Sequence, residues 1–459
     1  MSHFLDQKRV KNKSMMHSQL LFLTAVMLLM SLGPSHGGDT LGMQEVISNM
    51  KPYTGKHRAG VDTKTLSGKV MCGYQGWFAA EGDGSGRGWT HYGAGRNGLK
   101  PGHCTIDLWP DMREMDKDEK FATAFKHKDG SPAYLFSPYQ PKTVLRHFKW
   151  MKDSGIDGVF LQRFGSSIKS AKSLNHRNVV TANVQAGANQ YGRTWAIMYD
   201  LSGLKKGEIK THLMEDWKRL VDRMEIKKDK SYLHHKGKPV VAVWGIGFKD
   251  GRDYKLDECE ELVTFLKSDP KYGGNTVMLG VPTGWRTLSR DALADQQLHN
   301  IIRKADIVSP WTVGRYSSPA SAAKHAESWA KPDIAWTKKN DLDYLPVAFP
   351  GFSWHNLKKS KGQNKKLDQI PRLKGEFLWS QAVAYKKAGA EMLYVAMFDE
   401  VDEGTAIFKC TNNPPVGDSP FLTYKGLPTD HYLWLTGKAG ELIRNPLSAN
   451  HKMPTRKSK

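Results

Sequence analysis

Four of the five residues from 399 to 403 are carboxylates. Asp399, Glu400, Asp402 and Glu403 follow directly after MLYVAMF, an apolar run that is typical of a buried strand. Two carboxyl groups held a few ångströms apart repel each other, which raises the pKa of one of them. One group then stays ionised while the other holds a proton, and this is what general acid and base chemistry on a glycosidic bond requires.

The spacing of these carboxylates restricts the local backbone. In an extended strand, residues three apart point to opposite faces, so Glu400 and Glu403 can act together only if the chain bends where the apolar run ends. In a turn they face the same way, and Gly404 favours a turn because it tolerates positive φ. The alternatives are a solvated acidic turn, a helix N-terminus, or a cation site that uses Asp399, Asp402 and Glu403, although the spacing fits no calcium loop.

Eight apolar runs are candidates for the strands that position these carboxylates. Most of them are nearly continuous, which is typical of strands covered on both faces, and helical patterns lie between them. Eight such repeats predict an α/β fold, a (β/α)8 TIM barrel over residues 68–446, with an open doubly wound sheet as the alternative. The runs are KVMCGYQGWF (69–78), GVFLQRF (158–164), TWAIMYD (194–200), PVVAVWGIGF (239–248), TVMLGVPTGW (276–285), DIVSPWTVG (306–314), LPVAFPGFSW (345–354) and MLYVAMF (392–398).

Helix signals lie between and after these runs. Residues 211–225 and 430–445 show helical periodicity of apolar side chains. Ser318 and Pro319 form an N-cap and N1 pair, and Gly389 is expected just beyond a helix C-terminus.

The largest insertion, residues 79–139, follows the first predicted strand and is rich in Gly, Asp and His. In a barrel such a loop lies on the C-terminal face, where we expect it to act as a lid and not as core. The segment DGSG within it is similar to the start of a calcium loop but lacks the closing Glu, so we interpret it as a turn. The sequence therefore predicts neither a metal nor a cofactor.

The ends of the predicted strands carry further candidate substrate-binding residues. A barrel collects these ends on one face, where aromatic rings can stack on a sugar and polar side chains can bind its hydroxyl groups. A packing role is the alternative for each of them, and Trp89 and His91 of the insertion are candidates for covering the site. In strand order the candidates are Tyr74, Gln75, Trp77, Gln162, Arg163, Asp200, Trp244, Trp285, Trp311, Trp354 and His355.

The first 37 residues have the features of a secretion signal. A basic region at residues 8–13 precedes LLFLTAVMLLMSLG, which is short for a membrane span, and PSHGGD offers small residues for cleavage. We expect a secreted, extracellular or periplasmic protein without a membrane span after cleavage, and a retained anchor is the alternative. Residues 38–67 then form an N-terminal segment and residues 447–459 a basic tail.

The formal net charge of +22 favours anionic partners and makes an acidic or sulfated polysaccharide an attractive substrate class. The basic residues are scattered, and the densest run, residues 355–366, lacks the interleaved aromatics of a nucleic-acid platform, so no nucleic-acid partner is expected. The four cysteines allow one or two structural disulfides, and we predict no catalytic thiol.

Two segments of the chain resemble a known family of enzymes. FDEVDEGTAI (398–407) is similar to the W-N-E-W-x-E-G-T-x-I signature of glycoside hydrolase family 99, the endo-acting α-mannosidases. GYQGWFAAEGDGSGRGWTHY (73–92) resembles the first strand and loop of bacterial proteins described as family 71/99-like. The resemblance covers roughly residues 68 to 405 and implies a barrel and a retaining glycosidase that needs no metal.

The resemblance also implies roles for individual residues. Glu400 takes the position of the base that removes the proton of the sugar 2-hydroxyl, which gives a 1,2-anhydro sugar. Glu403 takes that of the acid/base that protonates the leaving oxygen and then activates water. Asp399 replaces the family's Asn and is a candidate for hydrogen-bonding the sugar, while Val401 replaces a Trp and Asp402 adds a charge. These departures predict a different sugar in the site.

Three functions are compatible with the sequence. The first is an exported glycoside hydrolase that acts on an α-linked glycan. The second is a non-catalytic glycan-binding barrel of the cell surface or exterior. The third is a basic secreted protein that adheres to wall polymers or DNA mainly through charge, and its affinity would collapse with added salt.

Overall fold

Residues 41–93, 95, 98–446 and 451–456 are described by the structure, which is a computed structural model. The predicted signal segment, residues 1–37, and part of the predicted basic tail lie outside the described residues. Within the described part of the chain, no helix is both long and apolar enough to cross a membrane.

The strands of the described residues include all eight that the sequence predicts, although most are shorter than the apolar runs. They are β1 (Val70–Tyr74), β2 (Phe121–Lys126), β3 (Pro132–Leu135), β4 (Gly158–Phe164), β5 (Thr194–Asp200), β6 (His234–His235), β7 (Lys238–Trp244), β8 (Thr276–Val281), β9 (Ile307–Pro310), β10 (Asp343–Tyr344), β11 (Val347–Ala348) and β12 (Leu393–Val395). The main sheet runs in the order β10-β9-β8-β7-β5-β4-β1-β12-β11, and its neighbours pair in parallel.

Two short strands close this sheet into a barrel, β10 just before the seventh predicted run (345–354) and β11 within it. β10 pairs with β9, and β11, three residues further along, pairs with β12. Between them, the Leu345 amide donates to the Val308 carbonyl (2.9 Å), and the Tyr394 amide donates to the Pro346 carbonyl (3.0 Å). Residues 343–348 therefore hydrogen-bond to both flanking strands, which confirms the predicted TIM barrel.

The helices cover the outside of the barrel. The predicted caps are present, because the Ser318 hydroxyl accepts from the Ser321 amide and Gly389 adopts a positive φ of 98°. The α-helices are α1 (Met43–Ser48), α2 (Pro141–Ser154), α3 (Ala171–Tyr191), α4 (Glu215–Arg223), α5 (Leu256–Ser268), α6 (Gln297–Lys304), α7 (Pro319–His325), α8 (Lys331–Lys339), α9 (His355–Lys359), α10 (Glu376–Ala388) and α11 (His431–Arg444). Wider π-helical turns, Ile209–Met214 and Ala326–Ala330, precede α4 and α8.

The insertion after β1 packs against the barrel and contributes side chains to the hydrophobic core. It contains the antiparallel pair β2–β3, and its large apolar side chains Tyr92, Leu108 and Trp109 are buried. The Asp107 carboxylate accepts hydrogen bonds from the Ser353 hydroxyl (2.6 Å) and the His355 amide (2.6 Å). The expectation that this stretch carries no core is therefore wrong, because aromatic residues among its glycines reach the hydrophobic core.

The four cysteines, Cys72, Cys104, Cys259 and Cys410, are buried and unpaired. Burial raises the pKa of each thiol. The disulfides that the sequence permits are not formed in this structure.

Candidate active site

The chain turns directly after β12, as the spacing of the carboxylates requires. The Glu400 carbonyl accepts hydrogen bonds from the amides of Thr405 (3.1 Å) and Ala406 (2.9 Å), which closes a tight loop. Gly404 has a positive φ of 60°, and a Cβ on it would lie 2.9 Å from the Ser353 amide nitrogen. Glycine is therefore required here on two counts, and the turn brings the carboxylates to the C-terminal end of the barrel.

Glu400 is held in one orientation by two side chains. Its Oε1 accepts a hydrogen bond from the Gln75 side-chain amide (2.7 Å), and its Oε2 accepts one from the Thr405 hydroxyl (2.7 Å). The residue is 5% exposed. Burial, followed by the charges of Glu403 and Asp402, raises the pKa of Glu400 well above its ordinary value.

Glu403 is the more accessible of the two glutamates. Its carboxyl group makes no hydrogen bond or ion pair with the described residues, and the side chain is partly exposed. Burial and the neighbouring Asp402 raise the pKa of Glu403 to about 7, although Lys358 and Lys361 oppose the shift. A carboxyl group with this pKa is present in both protonation states near neutral pH, which suits a group that gives and takes a proton.

Asp402 adds a third carboxyl group to the site. It is 3% exposed, its Oδ2 lies 3.5 Å from His91 Nδ1, and its Oδ1 has no hydrogen-bond partner in the described part of the chain. The His91 ring is stacked on Trp77, with centroids 4.0 Å apart. Burial, which is the largest effect, lowers the pKa of His91 to about 3 and raises that of Asp402 to about 7. His91 of the insertion therefore contacts a carboxyl group of the site as a neutral ring.

Asp399 has a structural role and not the predicted one of binding sugar. Its two carboxylate oxygens accept the backbone amides of Gln75 (2.7 Å) and Gly76 (2.9 Å), and the residue is fully buried. Both oxygens face protein, so neither is free for a hydroxyl group. Asp399 instead fixes the end of β1, from which Gln75 reaches Glu400.

Three further candidates lie in the packed core. The Tyr74 hydroxyl is bonded to His147 Nδ1 (2.9 Å) on α2, and Arg163 is paired with Asp216 (2.6 Å) on α4. Trp285 is fully buried with its ring edge-on to another tryptophan. Tyr74 and Arg163 point outward to the helices because alternate residues of a strand face opposite sides. The prediction that these three side chains contact a ligand is therefore corrected.

Four tryptophans remain candidates for binding sugar, because each is only partly buried. Trp244 and Trp311 lie edge to face with centroids 5.6 Å apart, and Trp354 carries the Lys358 ammonium 4.0 Å above its ring. The indole N–H groups of Trp77, Trp244 and Trp354 are buried without an acceptor in the described residues. A sugar hydroxyl would satisfy such a donor while the ring stacks on the sugar's C–H face.

Two further candidates, Asp200 and His355, already use part of their polar capacity within the protein. Asp200, at the end of β5, is 8% exposed and accepts the Ser202 amide (2.7 Å). Burial raises the pKa of Asp200 to about 6. His355 begins α9, where its amide binds Asp107 and its ring contacts the Lys365 carbonyl.

Among the described residues, one group of three carboxylates is close enough to share an ion, namely Asp116, Asp118 and Glu119 in the insertion. Lys142 and Arg146 already form ion pairs with these groups. This cluster is therefore explained by its own counter-ions.

Solved structures with the same fold include two from the family that the motifs resemble. A family 99 endo-α-mannosidase from Bacteroides thetaiotaomicron, in complex with bis-tris-propane, superposes with a TM-score of 0.58 at 14% identity, over 83% of this chain and 98% of that chain. A second structure of a family 99 endo-α-mannosidase from that organism gives a TM-score of 0.55 at 15% identity, over the same shares. The chain shares the fold of the family 99 glycoside hydrolases. Neither a protein-family model nor a curated protein matches the sequence.

Several contacts of the site are visible only in the structure. Asp402 and Thr405 lie inside the quoted motif, yet only the turn shows that Thr405 binds Glu400 and that Asp402 meets His91. Arg177 comes from the middle of α3 and donates to the Gln75 carbonyl (3.0 Å). No local pattern marks it, because its approach to the site depends on how α3 packs beside β1.

Proposed function

We propose that the protein is a secreted, retaining glycoside hydrolase that cleaves an α-linked poly- or oligosaccharide, and that Glu400 and Glu403 perform the reaction. The observation that carries this proposal is the contrast between the two carboxyl groups. Glu400 is clamped by Gln75 and Thr405, while Glu403 lies nearby without a partner and has a pKa of about 7. One side chain is thus oriented for a fixed task, and the other is available for proton transfer.

The roles follow the family resemblance. Glu400 accepts the proton of the sugar 2-hydroxyl while that oxygen attacks the anomeric carbon, and Glu403 protonates the departing glycosidic oxygen. In the second half of the reaction, Glu403 removes a proton from water as the water opens the anhydro ring, and Glu400 returns its proton to the 2-oxygen. Two inversions at the anomeric carbon give overall retention.

The raised pKa of Glu400 supports its role as a base. A carboxylate that binds protons more tightly than usual is a better acceptor for a sugar hydroxyl, provided that it is ionised. The hydrogen bonds from Gln75 and Thr405 stabilise that ionised form and oppose the effect of burial. The aromatic side chains Trp77, Trp244, Trp311 and Trp354 then supply stacking surfaces for the sugar units.

Secretion and the substrate class belong to the same proposal. The basic and apolar N-terminal residues support export, and the net charge of +22 supports an anionic glycan. Two departures from the family motif support a sugar different from that of the family. Asp399 binds backbone amides, and Asp402 contacts His91.

The test is a digest of a panel of α-linked glycans with purified wild-type protein and the variants Glu400→Gln and Glu403→Gln. We expect each variant to lose activity by roughly 10²-fold or more while its circular dichroism spectrum stays unchanged. Glu391→Gln is the matched control, because Glu391 is exposed and lies before β12. Full activity in either active-site variant would end the assignment, and binding isotherms without product across the panel would favour a non-catalytic glycan-binding barrel.

A further inference from the structure

Two arginines that act on His91, Arg87 and Arg177, form no ion pair within the described residues, although Asp83 acts on Arg87 and both Asp399 and Asp200 act on Arg177 at longer range. Arg177, on α3, is 3% exposed, and it donates to the Ser167 hydroxyl (3.0 Å) and the Gln75 carbonyl (3.0 Å). Arg87, from the insertion, has a buried Nη1 without a partner, and its guanidinium makes no hydrogen bond or ion pair there. Both groups thus keep donors and positive charge for something else.

Arg163 shows the contrast with a closed pair. Its guanidinium binds Asp216 through two hydrogen bonds (2.6 and 2.7 Å), and Asn178 and Thr181 take up further donors. A buried charge is costly unless it is paired and hydrogen-bonded in this way. Arg177 is hydrogen-bonded only to neutral acceptors, so an added anion would gain more binding free energy at Arg177 than at Arg163.

Short contacts connect Arg177 with the reacting groups. Its Nη1 binds the Gln75 carbonyl, and the side-chain amide of the same Gln75 binds Glu400 (2.7 Å). The Arg177 guanidinium carbon lies 5.7 Å from the centre of the Phe164 ring, and that ring lies 5.1 Å from Trp77. Phe164 and Trp77 are partly exposed, so the arginine borders the aromatic wall where a sugar would lie.

The electrostatics of the neighbouring groups agree with this arrangement. Burial, Arg87 and Arg163 lower the pKa of Arg177 to about 9, although Asp399 and Asp200 oppose the shift, and the group stays charged at neutral pH. Burial first, and then Arg177, Arg87 and Lys361, lower the pKa of His91, so these cations act on the same ring that contacts Asp402. The carboxyl groups of the site have pKa values raised to about 7 and are partly protonated near neutral pH, which weakens their balancing effect.

We propose that Arg87 and Arg177 form an anion-binding subsite beside the Glu400–Glu403 pair, which takes the carboxylate or sulfate group of a charged sugar. Guanidinium groups suit this ligand because their planar N–H donors match the oxygen atoms of carboxylates and sulfates. The proposal rests on the proposed function in that the anion belongs to the glycan substrate. It adds the kind of anionic group, the carboxylate of a uronic acid or the sulfate of a sulfated sugar, and the residues that select it.

The lysines of residues 355–366 are the competing site for such an anion. Lys358 lies over Trp354 and Lys361 is exposed, so both are more accessible than Arg177. Exposed lysines are well hydrated and bind anions with weaker selectivity than a buried guanidinium. The two locations can be separated by mutation because they lie on different segments of the chain.

Binding is measured by calorimetry with sodium glucuronate, a sulfated monosaccharide and inorganic sulfate, with sodium chloride at equal ionic strength and neutral mannose as references. We expect a charged sugar to bind more tightly than either reference, and Arg87→Gln to weaken that binding at least tenfold. Arg223→Gln, at an exposed position on α4, removes the same charge and should change nothing. If Arg87→Gln does not fold, Arg177→Lys is the second variant. It keeps the positive charge but removes the paired N–H donors of the guanidinium group, and should also weaken binding of the charged sugar.

Each outcome decides between the alternatives. Glucuronate alone indicates a uronic acid, and the sulfated sugar alone indicates a sulfate ester. The proposal is overturned if inorganic sulfate binds but neither charged sugar does, or if no anion binds more tightly than chloride. It is also overturned if the double variant Lys358→Gln/Lys361→Gln loses binding while Arg87→Gln keeps it. If the protein binds charged sugars but hydrolyses no glycan, only the proposed function is contradicted. If it cleaves a neutral glycan and binds no anion, only the proposed subsite is contradicted.

Discussion

The side-chain amide of Gln75 lies 2.7 Å from Glu400 Oε1 and joins the end of β1 to the turn after β12. These residues are far apart in sequence but adjacent in the closed barrel, where β1 pairs with β12. Asp399 strengthens the junction by accepting the Gln75 and Gly76 amides. The orientation of the proposed base therefore depends on the first strand of the barrel.

Gln75→Leu tests this dependence. The change removes one hydrogen bond to a charged group, worth about 1.5–3 kcal/mol, and we expect kcat on the substrate to fall about 10- to 100-fold. Since the amide also lowers the pKa of Glu400, the acidic limb of the pH–rate profile should move to higher pH. Gln363→Leu, at an exposed position, is the control. An unchanged profile would show that Gln75 does not tune Glu400.

Much of the fold can be predicted from the sequence because its signals are local. The eight apolar runs form the barrel strands since parallel strands are buried on both faces, as in β5, where every residue is buried. Ser318 and Gly389 mark helix ends through their own side chain or backbone freedom. Gly404 marks the turn for the same reason.

The contacts of the site are harder to predict because they depend on which way a side chain points. Tyr74 and Gln75 are neighbours at the end of β1, yet Tyr74 faces α2 while Gln75 faces Glu400. The phase of this alternation is not visible in a strand that is apolar on both faces. The sequence does not mark Arg177 for another reason, because its place beside Gln75 is set by helix packing.

Asp402→Asn should make the stability of the protein less sensitive to pH. The folded-state pKa of Asp402 is raised to about 7, above its unfolded value of ~3.9, so the folded state binds more protons between these values. The stability that protonated Asp402 contributes is full below about pH 4 and is lost as the pH rises to 7. Urea denaturation at pH 5, 6, 7 and 8 should show Asp402→Asn gaining stability relative to wild type as the pH rises. A constant difference would contradict the shifted pKa.

The same group should influence the alkaline limb of the activity profile. If Glu403 acts as the acid with a pKa of about 7, kcat/KM should fall above that pH as its proton is lost. Because Asp402 raises the pKa of Glu403 and Lys358 lowers it, Asp402→Asn should move this limb to lower pH and Lys358→Gln to higher pH. Opposite shifts of the two variants are a test that a loss of folding cannot imitate. Shifts in the same direction would remove Glu403 as the titrating acid.

Gly404→Ala tests the turn on which the carboxylate pair depends. An alanine at a φ of 60° costs about 1–2 kcal/mol, and its Cβ would also lie 2.9 Å from the Ser353 nitrogen, so the backbone must shift. Gly362→Ala is the matched control, because Gly362 has a φ of 73° and no atom within 4 Å of the added Cβ. We expect urea denaturation to show a larger loss of unfolding free energy for Gly404→Ala, together with a fall in activity that Gly362→Ala lacks. Equal losses in the two variants would mean that the close approach of Ser353 places no demand on the turn, and that Glu400 and Glu403 keep their arrangement without it.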